Sequence, residues 1–291
     1  MTDLATRYGE LRPLVFSVAY RLLGSVAEAE DVAQEAFLRM HREADRIDSA
    51  EAFAVTVTTR LAIDQLRSAR VRRERYVGTW LPEPLLTGGA DTDPAARAET
   101  AETLSTAFLV VLESLSPTER AVFLLREVFQ YDYGQVASIV GKSSTNCRQI
   151  LARARAHIDA RRPRFEVSPA RREALAERFF AACRDGDLAG LERLLADDVV
   201  FYGDGGGKAP AVSKPVSGRV RVARFVLGLM RQAAANGLRV EEVPVNGQPG
   251  ARVLDGDGEV LAVLSLQVAD GQIQTLHNVL NPDKLRHLRG R

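Results

Sequence analysis

Residues 201–212, FYGDGGGKAPAV, set three consecutive glycines between Asp204 and Lys208. A glycine-rich loop ahead of a lysine is the arrangement that cradles a phosphate, but that chemistry needs a Gly five residues before the Gly-Lys pair and a Ser or Thr directly after it. Tyr202 and Ala209 hold those positions, so the stretch reads locally as a strand end turning through glycines that tolerate positive φ. Acid–base chemistry in a cavity would draw on His277, Asp198 and Tyr202, the one such group the sequence offers, although a lone histidine on a strand is more often a structural residue. Arginines supply a third chemistry. Arg67, Arg70, Arg72, Arg73 and Arg75 crowd one stretch, and Lys142, Arg148, Arg153, Arg155, Arg161, Arg162 and Arg164 another, which are electrostatic footprints for a polyanion. The two cysteines, Cys147 and Cys183, fall at apolar positions of different helices, so neither a disulfide nor a metal site is indicated, and no cofactor is expected.

These groups sit in a chain of 291 residues with 46% hydrophobic residues, 26% charged residues and a formal net charge of +1. That composition suits two or three small globular domains and excludes wholesale disorder. No apolar stretch approaches the roughly twenty residues that span a bilayer, and no secretory leader is visible, so a soluble cytoplasmic protein without a membrane partner is expected.

Apolar residues recur at helical spacing from Tyr8 to about Glu74, as in Leu11, Val15, Val18, Leu22 and then Val32, Ala36, Phe37, Met40. This predicts an all-helical bundle, with Ser25 and Ser49 as N-caps. The pattern stops at Trp80, and residues 80–102, rich in Pro, Gly and acidic charge, read as a linker whose beginning is too apolar for a solvated spacer. Helical periodicity returns at Leu104. Asp132 with Gln135 caps a short helix ending at Val140, Gly141 turns the chain, and Ser143 caps the next helix, a helix-turn-helix reading. In that second helix Cys147, Ile150 or Leu151, Ala154 and Ile158 face inward. Asn146, Arg148, Gln149, Ala152, Arg153 and Arg155 face outward, where Arg and Gln reach base edges or phosphates. After Pro163 helices are predicted at 170–184, 188–195 and 219–235, and strands at 238–245, 259–268 and 272–280 with hairpin signals such as Asn246-Gly247 between them. That is a compact α+β domain with a curved antiparallel sheet.

The order of helical bundle, acidic linker and helix-turn-helix resembles the extracytoplasmic-function (ECF) sigma factors. Asp31-Val-Ala-Gln-Glu-Ala-Phe37 is similar to the segment with which that family grips the clamp helices of the polymerase β′ subunit, and Arg60-Leu-Ala-Ile-Asp-Gln-Leu-Arg67 to the helix that meets the minus-ten element. Leu115-Ser-Pro-Thr-Glu-Arg120 through Arg155 is similar to the domain that reads the minus-thirty-five element. The resemblance implies core RNA polymerase, through its β′ clamp helices and β flap, and promoter DNA as partners. Asp31, Gln34, Glu35 and Leu38 lie opposite the stripe that packs the bundle and are the candidate polymerase contacts. Arg60, Arg67, Arg70, Arg72, Arg73, Ser143, Asn146, Arg148, Gln149 and Arg153 are the candidate DNA contacts, with Arg60 standing where many relatives carry Asn.

The remainder resembles the subgroup of ECF sigma factors with a SnoaL-like C-terminal extension, on three stretches. They are Trp80, Leu81, Pro82, Glu83 and Pro84; Asp204, Gly205, Gly206, Gly207 and Lys208; and Asn281, Pro282, Asp283, Lys284 and Leu285. The resemblance implies regulation in cis. Physical chemistry adds an expectation: Asp204–Lys208 and Asn281–Leu285 lie together on one face of the C-terminal domain, the apolar, proline-stiffened segment Trp80–Pro84 packs against or beside them, and Lys208 pairs with Glu83. Residues 1–79, 80–102, 103–164 and 168–291 are then the polymerase and minus-ten domain, the linker, the minus-thirty-five domain and the regulatory domain. No enzyme activity is expected. The rival reading is a helix-turn-helix regulator whose C-terminal domain senses a small ligand or works as a cyclase or isomerase, and a small ligand in the cone stays open under either reading.

Overall fold

Caps place the helices. A computed structural model describes residues 3–44, 47–73, 76–87, 103–160 and 168–289. The chain forms two units, one of Met1–Arg75 with Leu109–Arg162, the other of Tyr76–Phe108 with Pro163–Arg291.

In the first unit α1 (Asp3–Leu23) ends at Gly24, which takes φ 66°, and Ser25 then accepts a hydrogen bond from the Glu28 amide at 3.2 Å to open α2 (Val26–Arg42). A serine cap of this kind satisfies one of the amides that a helix start leaves without a partner. The third helix, α3 (Ala50–Arg73), completes the bundle, whose core holds Val15, Ala33, Ala36, Phe37 and Ala54 with Leu11, Met40, Val57 and Leu61 against them. The chain returns to this unit from Leu109, part-way along α4 (Thr106–Leu112), and continues with α5 (Pro117–Phe123) behind a Ser116/Glu119 capping box and a π-helical turn at Leu124–Val128. Two more helices form the helix-turn-helix: α6 (Tyr133–Val140), capped by Asp132, and α7 (Ser144–Asp159), capped by Ser143. Gly141 between them takes φ 66°, the left-handed value glycine adopts without penalty. Cys147, Ile150, Leu151, Ala154 and Ile158 are all buried, which fixes the opposite face of α7 as the solvent face. Arg120 on α5 is 1% exposed, and its guanidinium donates to the Arg21 carbonyl at 3.0 and 3.2 Å and also meets Glu113. A buried cation is tolerable only with such partners.

In the second unit α8 (Pro169–Asp185), α9 (Leu188–Leu194) and α10 (Arg219–Ala235) lie against a six-stranded sheet. The strands are β1 (Leu195–Asp204), β2 (Val216–Ser217), β3 (Arg239–Glu242), β4 (Gly250–Leu254), β5 (Val260–Ala269) and β6 (Gln272–Val279), in the order β2-β1-β6-β5-β4-β3. The sheet is mixed rather than wholly antiparallel, because β1 pairs with β6 in parallel. Hairpin signals mark the meander from β3 to β6 but say nothing of where β1 inserts. Phe179, Leu191, Phe201, Val222, Leu266 and Leu276 form the core on the helix side of the sheet. Strand alternation turns Tyr202, Asp204, Ser265 and His277 to the other side, and Ser265 there meets the Thr106 hydroxyl at 3.1 Å. That side of the sheet is covered by the unit's own N-terminal segment.

Candidate functional site

Asp204, the last residue of β1, is completely buried. Its carbonyl accepts the amides of Leu280 and Asn281 at 2.7 and 2.9 Å, which ties the end of β1 to the segment after β6. Its carboxylate is shared: Oδ2 accepts the Leu81 amide at 2.8 Å and the Lys284 ammonium at 2.7 Å, and Oδ1 accepts the Tyr76 hydroxyl. Lys284 also donates to the Leu81 carbonyl, and its ammonium lies 4.3 Å from the centre of the Trp80 ring and 4.8 Å from that of Tyr76. One ion pair therefore holds both backbone groups of Leu81, with two aromatic faces completing the shell of the cation. Leu81 is itself 1% exposed.

The glycine loop is shaped to this cluster. Gly206 has φ 58°, and a Cβ there would stand 2.1 Å from Asn281 Nδ2 and 2.8 Å from the Tyr76 hydroxyl, so the bare backbone is a steric requirement. Asn281 Nδ2 donates to that hydroxyl at 2.8 Å. Lys208 pairs with Asp283 rather than with Glu83: Lys208 sits at the exposed part of the loop, whereas Glu83 is buried. Lys208, with Arg286, holds the Asp283 carboxyl below the usual carboxylate range.

A second anchor is Asn246. It is 1% exposed with φ 52°, its Oδ1 accepts the Leu85 amide at 3.0 Å and its Nδ2 donates to the Leu104 carbonyl at 3.1 Å. The same side chain thus holds the segment at 76–87 and the one at 103–108. Backbone bonds from Asn246 to Leu85 (2.7 Å) and from Thr87 to Pro244 (2.9 Å) extend the contact, and His287 Nε2 lies 2.8 Å from the Pro84 carbonyl.

In the first unit Asp31, Gln34 and Leu38 are exposed along one face of α2, and the half-exposed Glu35 accepts from Arg39 at 2.7 Å. Arg60 is turned onto the end of α6, donating to the carbonyls of Ser138 and Ile139 at 2.9 and 3.0 Å, and Arg67 meets Asp64 at 2.8 Å. The side chains of Arg70, Arg72 and Arg73 lie outside the described residues, as do Arg161, Arg162 and Arg164. On α7 Arg148, Gln149 and Arg153 are exposed, Asn146 is half-exposed, and the Ser143 hydroxyl accepts the Asn146 amide at 3.2 Å.

Residues 7–72 match sigma-70 region 2, residues 105–158 match sigma-70 region 4, and residues 176–276 match the SnoaL-like domain. Over 96% of its length the chain is 39% identical to the ECF RNA polymerase sigma factor SigJ of Mycobacterium tuberculosis (strain H37Rv), of which it covers 92%. The chain belongs to the ECF RNA polymerase sigma factors. This sigma factor is also 34% identical to the probable ECF sigma factor SigI of the same strain, over 96% of its own length and 93% of that protein. Its structure is similar to the crystal structure of SigJ, with a TM-score of 0.78 and 37% identity over 97% of this chain and 98% of that one.

The SnoaL-like unit of the sigma factor does not assemble the acid–base group of His277, Asp198 and Tyr202. Asp198 is exposed near the start of β1, whereas His277 is 4% exposed and stacks on Tyr202 at 5.6 Å between ring centres. Burial pushes the His277 imidazole down to about 4. A base depressed in the folded state leaves the unfolded chain binding more protons as pH drops below its ordinary value of 6.5, so the stability present above that value is lost as pH falls toward 4. Wild type should lose up to about 3 kcal/mol between pH 7.5 and 4 relative to His277→Gln. Urea unfolding of both proteins across that range measures the difference, and parallel pH profiles would contradict it.

Tyr76 and Asn246 are the contributors that sequence reasoning missed. Tyr76 directly follows an arginine run, and an aromatic residue in such a polar stretch was the available signal. Asn246-Gly247 was visible only as a turn. Among the described residues no helix is long and apolar enough to cross a membrane, and no group of three His, Cys, Asp or Glu is placed to hold a metal ion.

Proposed function

We propose that this sigma factor brings core polymerase to promoters from the cytoplasm, with its SnoaL-like unit acting in cis as a regulatory body rather than as an enzyme. Asp31, Gln34, Glu35 and Leu38 present the face for the β′ clamp helices, and the unit around α6 and α7 serves the β flap and the minus-thirty-five element. Arg60 and the arginines that end α3 serve the minus-ten side. The observation that carries the regulatory reading is the capture of Leu81 by the buried Asp204–Lys284 pair. The segment joining the two DNA-binding parts is thereby made part of the C-terminal unit. Docking or release of that segment sets which arrangements of the DNA-binding parts the chain can reach, a two-state equilibrium that the C-terminal unit biases. Reconstituted transcription with core polymerase tests this, comparing the full chain with one ending at Arg164. At equal occupancy of core polymerase, transcript yield should change at least threefold. Equal yields would remove the regulatory role, and absence of promoter-dependent transcripts from both chains would remove the sigma assignment of the contact residues.

A further inference from the structure

Tyr133 opens α6, and two arginines converge on its ring: the guanidinium carbon of Arg126 lies 5.0 Å from the ring centre and that of Arg148 4.9 Å. The backbone that carries the ring is held by its surroundings. It is set by the capping box of Asp132 and Gln135, with bonds of 2.8 and 2.9 Å, and the Ser144 hydroxyl at the start of α7 reaches the Tyr133 carbonyl at 3.3 Å. Arg126 arrives from the π-helical turn, which is closed by the Phe129 amide on the Leu124 carbonyl at 3.0 Å. Arg126 also donates to the Tyr131 carbonyl at 2.9 Å, so its guanidinium is held by a backbone acceptor as well as by the ring. Such π turns recur at functional sites because they redirect a side chain that a regular helix would aim elsewhere.

We infer that Tyr133 is a positioning residue for promoter reading: its ring, braced by Arg126, holds the Arg148 guanidinium in the pose that meets a base edge of the upstream element. The inference rests on the reading of α7 as the recognition helix. An exposed arginine gives up much rotamer freedom on binding, and a side chain already stacked has less to give up. A tyrosine face supplies the stacking without spending the donors of the guanidinium, which stay available for the bidentate contact that distinguishes guanine. Two cations drawn to one ring also leave local positive charge that an approaching DNA strand neutralises. The chemical class recognised is thus duplex DNA, and the property set by Tyr133 is discrimination between bases rather than overall affinity.

The test uses holoenzyme assembled from the full chain and core polymerase, bound to a duplex library randomised over the upstream element. Arg148→Ala should erase the preference at one or two positions. Tyr133→Leu keeps apolar bulk but lacks the ring, and should lower discrimination at those same positions by about two- to fivefold, the size of an exposed cation–π contact. Tyr133→Phe should restore it, and Arg126→Gln, a change that leaves the ring in place, should lower it by about twofold at those positions. Wild-type discrimination in both Tyr133→Leu and Arg126→Gln, with preference lost in Arg148→Ala, overturns the inference alone. Full preference in Arg148→Ala overturns the recognition-helix reading on which it stands.

Discussion

Asp31→Lys combined with Glu35→Lys should weaken binding of the sigma factor to core polymerase by roughly a hundredfold or more, while the bundle stays folded. Both groups lie on the face of α2 turned away from Val32, Ala36 and Phe37, so neither contributes to the core. Within the chain the substitution costs the exposed Glu35–Arg39 pair at 2.7 Å and places a like charge beside Arg39. Each effect is about 0.5 kcal/mol or less. At an interface the balance differs, because a charge set against its own sign costs several kcal/mol. Affinity for core polymerase from a binding titration, with far-UV circular dichroism to confirm the helices, separates the two scales. Undiminished affinity in a folded variant would remove the polymerase role from this face.

Asp204→Ala should be strongly destabilising to the second unit. It removes the Asp204 carboxylate from Lys284, which is 6% exposed, and strips the acceptor from the Leu81 amide and the Tyr76 hydroxyl. Removing one member of a buried pair costs about 3–5 kcal/mol, most of it the penalty of the charge left behind. Asp204→Ala with Lys284→Met should therefore recover part of the loss, which separates the electrostatic share of the cost from simple loss of packing. The protein has a single tryptophan, Trp80, and it sits against the Lys284 ammonium, so its emission reports directly on whether this segment is docked. Urea unfolding followed by Trp80 emission measures the effect. A loss under about 1 kcal/mol with unchanged emission would mean that the pair does not hold the segment.

Local chemistry made much of this fold legible. Ser25, Asp132 and Ser143 cap the helices that their side chains announce, and Gly141 turns where only a left-handed residue fits. The inward stripe of α7 follows from spacing alone, because burial of Cys147, Ile150, Ala154 and Ile158 needs no knowledge of the partner. What stayed hidden depends on segments far apart in the chain. The parallel pairing of β1 with β6 crosses some seventy residues, from Tyr202 to His277, and no turn marks it. β4 was not isolated as a strand, since its short run between two turn signals has little periodicity to read. Tyr76 and Asn246 act through hydrogen bonds to backbone and side-chain groups far away in the chain, which leave no pattern in their neighbours. Lys208 was matched to the wrong carboxylate because composition shows charges available, not the burial that separates Glu83 from the surface.

The discontinuous make-up of the second unit has a consequence for how the protein is born. Residues 76–108 leave the ribosome before the helix-turn-helix does, yet their partners Asp204, Asn246 and Lys284 come much later in the chain. From Arg162, the end of the first unit, to Lys284 there are 122 residues (284 − 162), about 6–24 s of synthesis at bacterial-to-eukaryotic elongation rates. During that interval the nascent protein carries complete DNA-binding helices and an undocked segment with Trp80, Leu81 and Leu85 uncovered. Every new molecule thus passes through the released state before the docked one exists, and a ribosome-associated chaperone has a defined apolar stretch to hold until the last strand and the Lys284 turn emerge.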